Sequence, residues 1–321
     1  MSPADRLKDQ IIKKGPLPLE LFLDMVMNAA DDSYYSNADR FGEQGDFITA
    51  PEISQLFGEI LAAFQAWLWE VSGNPDADEM VIFEAGPGRG TLFGDMHRSW
   101  CQICPQMAAA PVTFLETSPY LRSVLTSRFS GLDIYLTDTA DSLPEVPLFG
   151  VANEFFDSLP IEQYFKAGNY WCPRVVDVKP DGDGLCFVLL PPFEAPNLPP
   201  GLLNAPSDTL VEYCPSALDI TEDISRRINE FGGAALFIDY GHTENNFGET
   251  LQSIKNHKFH DPLVNPGEAD ITAHVNFKLL QEFFSKNNLK TKDLISQKEF
   301  LKNMGILERA EILAKKMKFT E

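Results

Sequence analysis

The feature that most constrains this chain is the punctuation between Met80 and Trp100. Met80 to Glu84 is a short apolar run ending in an acid. Glu84-Ala-Gly86-Pro-Gly88-Arg-Gly90 is a glycine-dense turn, and Thr91 to Trp100 continues as a helix. Glycines at such a turn let the chain leave a strand sharply and bring bare backbone against a ligand. The alternation then repeats. Val112 to Glu116 is a second strand ending in an acid, Tyr120 to Phe129 a helix, Leu132 to Leu136 a third strand and Leu148 to Ala152 a fourth; Ala234 to Asp239 follows after a long interruption. Strands and helices alternating at these lengths predict an α/β fold with a parallel sheet and right-handed crossovers.

The turn also limits the ligand. A dinucleotide fingerprint, G-x-G-x-x-G counted from Gly86 and Gly88, needs glycine at position 91, where this chain has Thr91. The spacing found is G-x-G-x-G, with Glu84 two residues before it. A methionine-derived cofactor has no pyrophosphate. Its zwitterionic end needs backbone contacts and an acceptor for an ammonium group, which Glu84 can supply. Glu116 lies one full α/β step further on, where a carboxylate accepts both ribose hydroxyls of a nucleoside; the competing reading pairs it with Arg122. Asn153-Glu-Phe-Phe-Asp157 ends the fourth strand, at the mouth of the crevice that an open α/β sheet forms. Glu154 and Asp157 could there hold a guanidinium by paired charge-assisted hydrogen bonds. Phe155 and Phe156 either wall that site or belong to the core.

Elsewhere the pattern is less regular. Leu19 to Ala29 reads as a helix, and the glycine-marked loop after it offers Gly42 to Gly45 as a lid hinge. A helix is expected to start at Thr49 or Ala50, with Pro51 in its first turn and Glu52 at its positive end. Its core face would carry Ile53, Phe57, Ile60, Leu61, Phe64, Trp67 and Leu68. Ile161 to Leu190 reads as inserted β-hairpins, Pro191 to Pro206 as a surface loop, Ser216 to Phe231 as a helix and Asn246 to Asp270 as polar turns. Val275 to Asn287 and Gln297 to Lys318 read as closing helices. The division expected is 1–78, an N-terminal helical region and cofactor-covering segment; 79–160, the first part of the core; 161–232, an insertion with hairpins and a helix; and 233–321, the rest of the core and the C-terminal helices.

Composition narrows the partners. A formal net charge of -21 over 321 residues disfavours nucleic acid and anionic membrane and suits a basic partner or a cationic group on a protein. No apolar run approaches the length of a membrane span, so no membrane insertion is expected. Met1 to Gly15 mixes acids and bases without the apolar stretch of a signal peptide or the acid-poor character of a transit peptide, so the expected compartment is cytoplasmic. Cys101, Cys104, Cys172, Cys186 and Cys214 read as free thiols, and Cys101-Gln-Ile-Cys104 lacks the companion pair of a metal site. His257 and His260 sit in a polar stretch with no third ligand, so no metal is expected. His242 and His274 each follow turn-like motifs and could line the cleft.

Seven segments, in order along nearly the whole chain, carry a resemblance. They are Gly45 to Glu59, Phe83 to Leu92, Glu116 to Arg122, Ala152 to Pro160, Phe237 to Gly241, Asp261 to Phe277 and Gln297 to Ile306. In these the chain resembles the MidA-like methyltransferases, a family with mitochondrial complex I assembly-factor members and many bacterial ones. The resemblance implies a Rossmann-like class I methyltransferase sheet with N-terminal helices and an inserted hairpin and helical region. It implies an S-adenosyl-L-methionine site around Gly86, Gly88, Gly90 and Glu116, with the Thr49 segment closing over it. Glu84 and Asn153 complete the cofactor-binding set; Glu154 and Asp157 form the catalytic set. For the mitochondrial members the family activity is arginine methylation on a protein. Two departures are Asn276, where the family usually has Asp, and the lack of a candidate for the antiparallel strand that usually completes the sheet. The leading expectation is therefore methyl transfer to an arginine nitrogen of a protein substrate. A SAM-binding assembly factor without catalysis and a NAD(P)-dependent oxidoreductase are the alternatives.

Overall fold

The strand Val81–Ala85 (β1) is buried along its whole length, and the fold is organised around it. A computed structural model describes residues 2–28, 33–35 and 49–316 of the chain. Four further strands, Val112–Leu115 (β2), Ile134–Thr137 (β3), Leu148–Asn153 (β4) and Gly233–Ile238 (β5), join β1 in one parallel sheet of order β5-β4-β1-β2-β3. Side chains alternate between faces as a strand requires. Ile82 packs with Phe114, Phe149, Leu61, Phe93 and Trp100 on one face. Val81, Phe83 and Ala85 pack with Ala217, Ile224, Leu280 and Phe284 on the other. The register sets Phe83 beside Gly150, where an added Cβ would lie 1.8 Å from the Phe83 ring. Only glycine leaves room for that aromatic between two adjacent strands. Gln65 donates from Nε2 to the Gly150 carbonyl at 2.6 Å, tying the helix Gln55–Val71 to the same point. Chain order reverses between β1 and β4, which places a crevice at the carboxyl ends of these strands.

A second, antiparallel sheet comes from the inserted region. Glu162–Ala167, Tyr170–Val178, Leu185–Leu189 and Thr209–Tyr213 form it, with Leu17–Pro18 from the N-terminus added beside Tyr170–Val178. The helix Leu19–Met27 packs Phe22, Val26 and Met27 against Val176 and Ile271.

Several expectations need correction. The helix after Thr49 is two pieces, Ala50–Ile53 and Gln55–Val71, separated by Ser54, whose extended backbone lets its Oγ accept from the Leu56 amide at 3.2 Å. The break turns Ile53 outward to 73% exposure, and Trp67 is also exposed. Pro191 to Pro206 is not a surface loop throughout, because it holds the short helix Pro200–Leu203. Leu198, Leu202 and Ala205 are buried there against Trp171 and Val211. Asn246 to Asp270 contains the hairpin Gln252–Lys255 and Lys258–His260, completed by Asp270–Thr272 into a three-stranded sheet. Val275–Asn276 pairs with Gly241–His242, so the next helix starts only at Phe277; Asn276 caps it, accepting from the Leu279 amide at 3.0 Å. Asn caps about as well as Asp, so the departure from the family costs little at this position. The last helical stretch divides at Gly305 (φ 80°) into Gln297–Asn303 and Ile306–Lys316; residues 317 and 318 lie outside the described part. The proposed hinge, Gly42 to Gly45, also lies outside the described residues.

Candidate active site

A cavity of about 730 Å³ opens at the carboxyl ends of β1, β2 and β4, within the size range of sites for small organic ligands. Its floor is the glycine turn. Gly86, Gly88 and Gly90 have φ of 64°, 53° and 71°, a region that side-chain-bearing residues rarely adopt. At Gly90, which starts the helix Thr91–Ile103, a Cβ would lie 2.5 Å from the Phe129 ring; at Gly86 it would lie 2.8 Å from Phe155. The glycines therefore serve both the turn and the close approach of neighbouring rings. Glu52 closes the turn from the side, accepting from Arg89 at 2.6 Å and from the Thr91 hydroxyl at 2.7 Å. Thr49 and Pro51 border the cavity from the same segment.

Two buried carboxylates line this space. Glu84 sits within β1, and its Oε2 has no hydrogen-bond partner among the described residues. Burial pushes its pKa up to about 8, against a smaller pull from Arg128. Glu116 follows β2; one of its oxygens accepts from the Ser118 amide at 2.8 Å. Burial raises it to about 7, opposed by the Ser118 and Thr117 amides and by Arg122. Arg122 is not the partner of this carboxylate. It donates to the main-chain oxygens of Glu116 and Leu136 at 3.0 and 3.2 Å, which leaves the Glu116 side chain facing the cavity.

The end of β4 divides the site. Asn153 borders the cavity with a buried, unpartnered Oδ1. Glu154 has φ of 49°, an uncommon conformation for a non-glycine residue and the kind of local strain found at functional sites. Its amide donates to the Ile238 carbonyl at 2.8 Å, and the Ala50 amide donates to its carboxylate. Burial first, and the neighbouring Asp157 charge second, raise Glu154 to about 7. Phe155 lines the cavity while Phe156 enters the core against Phe237, so the two aromatics divide the roles that sequence left open.

Asp157 does not border the large cavity. With Glu154 it borders an adjoining chamber of about 250 Å³, completed by Tyr240, Gln252, Asp270 and Thr272. Tyr35, Glu154 and Ser158 border both spaces and form the partition between them. Tyr35 donates from its hydroxyl to Asp270 at 2.9 Å and accepts at its carbonyl from Ser118 at 2.6 Å, linking the chamber to the Glu116 end of the cavity. Asp239, at the end of β5, accepts from the Phe156 and Asp157 amides at 3.0 and 3.2 Å and holds that loop in place. Burial raises both Asp157 and Asp239, and the Asp157 charge raises Asp239 further.

His242 and His274 are elsewhere. They border a cavity of about 40 Å³ beside Phe156 and Leu279 and do not border the large one. Cys101 is exposed and Cys104 buried. Among the described residues no cluster of His, Cys, Asp and Glu is placed to hold a metal ion, and no helix is long and apolar enough to cross a membrane. Glu52, Arg89, Tyr35, Tyr240 and Asp270 escaped the sequence reading. Glu52 carried a signal as an acid in the first turn of a helix that leads toward the glycine turn, and Arg89, Tyr240 and Asp270 lie in segments that carry the resemblance.

A parallel α/β sheet with a glycine turn and an acid at the next strand end defines a nucleoside-binding class of proteins, and similarity narrows it. Residues 60–295 match the family described as "Putative S-adenosyl-L-methionine-dependent methyltransferase", and the chain belongs to that family. It is 36% identical to the human protein named protein arginine methyltransferase NDUFAF7, mitochondrial, over 96% of this chain and 74% of that one. To the Xenopus tropicalis protein of the same name it is 34% identical, over 98% and 78%. A crystal structure of a likely methyl transferase of the COG1565 superfamily from Burkholderia thailandensis, bound to S-adenosyl-homocysteine, superposes with a TM-score of 0.79. The sequence identity is 27%, covering 98% of this chain and 82% of that one. The methyltransferase class and the cofactor expected from the glycine turn are thus both supported by relatives, and an oxidoreductase is not. The cytoplasmic expectation is overturned: the relatives it matches are named as mitochondrial proteins. The mixture of acids and bases in the first residues does not encode a compartment.

Proposed function

We propose that this methyltransferase transfers a methyl group to an arginine guanidinium of a protein, with Glu154 at the junction between cofactor and acceptor. The observation that carries the reading is that Glu154 borders both spaces, the cavity above the glycine turn and the acid-lined chamber beside it. The names of the vertebrate relatives support the choice of arginine.

The cavity's residues fit the cofactor. The unpartnered Oε2 of Glu84 suits an ammonium group, and Asn153 offers a second unpartnered oxygen nearby on β4. The glycine turn at Gly86, Gly88 and Gly90 supplies bare backbone, and Glu116 suits the ribose hydroxyls. Thr49 covers this set from the segment that Glu52 fastens to the turn. When bound, S-adenosylmethionine supplies a methyl carbon on a positively charged sulfur; the carbon takes an electron pair from a nitrogen while the carbon–sulfur pair stays with sulfur as a neutral thioether.

The chain's own work is alignment and charge. Glu154 and Asp157 hold the guanidinium by its N–H groups and fix one nitrogen toward the cofactor cavity, where near-attack geometry supplies most of the gain. The attacking nitrogen sheds one proton as it gains a carbon. Glu154, raised to about 7, takes that proton at neutral pH and passes it to solvent. The acidic chain as a whole favours a basic segment on the protein substrate.

The test is radiolabelled methyl transfer from S-adenosylmethionine into a lysate of cells that lack the protein, followed by hydrolysis and amino-acid analysis. Label in methylarginine is expected. Label on another residue contradicts the acceptor, and cofactor binding without any labelled protein would favour an assembly factor that no longer catalyses.

A further inference from the structure

The single helical turn Ala50–Ile53 walls the large cavity, and its two faces differ. Ile53 on the outer face is 73% exposed, and the chain leaves the turn through Ser54 in an extended conformation. After that break the chain is firmly packed. Gly58 of the helix Gln55–Val71 lies so close to the helix Thr91–Ile103 that a Cβ there would stand 2.5 Å from the Asp95 side chain. On the inner side, Thr49, Pro51 and Glu52 border the cavity.

Glu52 fastens this turn to the cofactor end. Both oxygens of its carboxylate are used: Oε1 accepts from the Thr91 hydroxyl at 2.7 Å and Oε2 from Arg89 at 2.6 Å. Arg89 and Thr91 flank Gly90 in the glycine turn, and the Arg89 carbonyl accepts from Arg128 at 2.8 Å. The Glu52 side chain is 16% exposed, so this ion pair is screened less than one at the open surface. The start of the same helical turn meets Glu154, because the Ala50 amide donates to the Glu154 carboxylate. An amide at the first helical position has no partner within its own helix, and an ionised carboxylate is a strong acceptor for it. Four residues of chain thus join the glycine turn to the end of β4.

We propose that Glu52 is a positioning residue: by fastening the Ala50–Ile53 turn to Arg89 and Thr91, it seats the Ala50 amide against Glu154 and holds that carboxylate aimed and charged. This rests on the reading of Glu154 as proton acceptor and adds a residue that acts on it through the backbone. Titratable groups face Glu154 from several elements: Asp157 beside it, Asp239 at the end of β5, and Tyr35, Tyr240 and Asp270 across the chamber. The Asp157 charge works against ionisation of Glu154, and the Ala50 amide and the Asn153 side chain work for it. Releasing the turn removes the Ala50 contribution, so Glu154 should hold its proton to higher pH.

The experiment is a pH titration of the full chain labelled with ¹³C at the glutamate carboxyl carbons, with the Glu154 resonance assigned by its loss in Glu154→Gln. The wild-type Glu154 midpoint is expected near its raised value of about 7. Glu52→Gln puts an amide N–H against the Arg89 guanidinium and should move the Glu154 midpoint up by about one pH unit. Thr91→Val, which removes one of the two bonds, should move it in the same direction by less. Ile53→Ser, on the outer face of the turn, should leave it at the wild-type value. A native near-UV circular dichroism spectrum establishes that a variant is folded, and Thr91→Val provides the test if Glu52→Gln is not. A midpoint that neither inner-face variant moves, or that Ile53→Ser moves as far as they do, would overturn the role of Glu52 and leave Glu154 as proton acceptor. A wild-type midpoint in the ordinary carboxylate range would overturn the reading of Glu154 as an acceptor tuned near neutrality, and this inference with it.

Discussion

The cofactor cavity and the acid-lined chamber share one wall and are built in opposite ways. The glycine-turn end of the cavity is made by consecutive elements, β1, the turn at Gly86 to Gly90, the helix after it and the end of β2 at Glu116, while the helix Leu19–Met27, the end of β4 and the helix Pro215–Phe231 close the rest. The glycine-turn end is set by local chemistry, three left-handed glycines and a carboxylate one α/β step away. The chamber is assembled from the ends of β4 and β5 and from a three-stranded sheet that begins at Gln252, 98 residues after Glu154. The difference teaches that binding a cofactor common to a whole class can be written into one short stretch of chain. The chamber, by contrast, needs surfaces from separate parts of it.

If the two spaces are separate in function, substitutions should divide between them. The largest effect is expected at Gly90. Gly90→Val forces a β-branched residue to φ of 71° and places its Cβ 2.5 Å from the Phe129 ring. This should cost about 3 kcal/mol or more of stability and abolish the rise in Tm that S-adenosylhomocysteine produces. A variant whose Tm still rises normally with the ligand would break the link between turn and cofactor. Next is Glu116→Ala, which should weaken S-adenosylhomocysteine roughly 100-fold, about 2.7 kcal/mol, in a calorimetric titration. It should leave guanidinium binding in the chamber nearly unchanged. Equal loss of both would mean that the partition at Tyr35 and Glu154 does not separate them.

The pH dependence sharpens the comparison because Glu154 belongs to both spaces. Its raised pKa, about 7, means that it gains a proton as pH falls through neutrality. Turnover at saturating cofactor should drop about tenfold per pH unit below that value and level off above it. A flat profile from pH 5 to 8 would remove Glu154 as proton acceptor. The smallest effect is on stability. Glu84 is raised from 4.5 to about 8 in the fold, so the folded protein holds this proton more tightly than the unfolded chain. The resulting stabilisation is complete below pH 4.5 and is lost as pH rises through 8. Glu84→Gln should therefore stabilise the cofactor-free protein at pH 8.5 by about 1–2 kcal/mol in denaturant titrations while weakening the cofactor. A destabilised variant would contradict the assignment of Glu84 as a buried charge awaiting its partner.

The two spaces also differ in how legible they were. The alternation of strands and helices, the glycine turn and Glu116 could all be read because each rests on local periodicity or spacing. The three-stranded sheet could not. Its hairpin turns on Asn256 and His257, with φ of 50° and 60°, where the recognisable residue pairs are Asn-Gly or Asp-Gly. Its strands are only three or four residues long and largely polar. Tyr240 and Asp270 came to border the chamber only when that sheet folded against the end of β4. The break at Ser54 was hidden for a related reason: Ile53 keeps helical spacing with Phe57, and one extended residue between them undoes the phase. Glu154 lay between these cases. Its position at a strand end was readable, but its place on the border of two cavities depends on a left-handed backbone that sequence spacing does not reveal.

The most direct test of the central claim, that Glu154 joins the two spaces, compares wild type with Glu154→Gln in two assays on the same preparation. One is single-turnover methyl transfer to protein arginine; the other is the affinity for S-adenosylhomocysteine. Transfer slowed by about 100-fold or more, with cofactor affinity within about threefold of wild type, is the predicted result. Transfer and affinity falling together would mean that Glu154 serves the cofactor cavity alone, and unchanged transfer would mean that the acceptor approaches from another side.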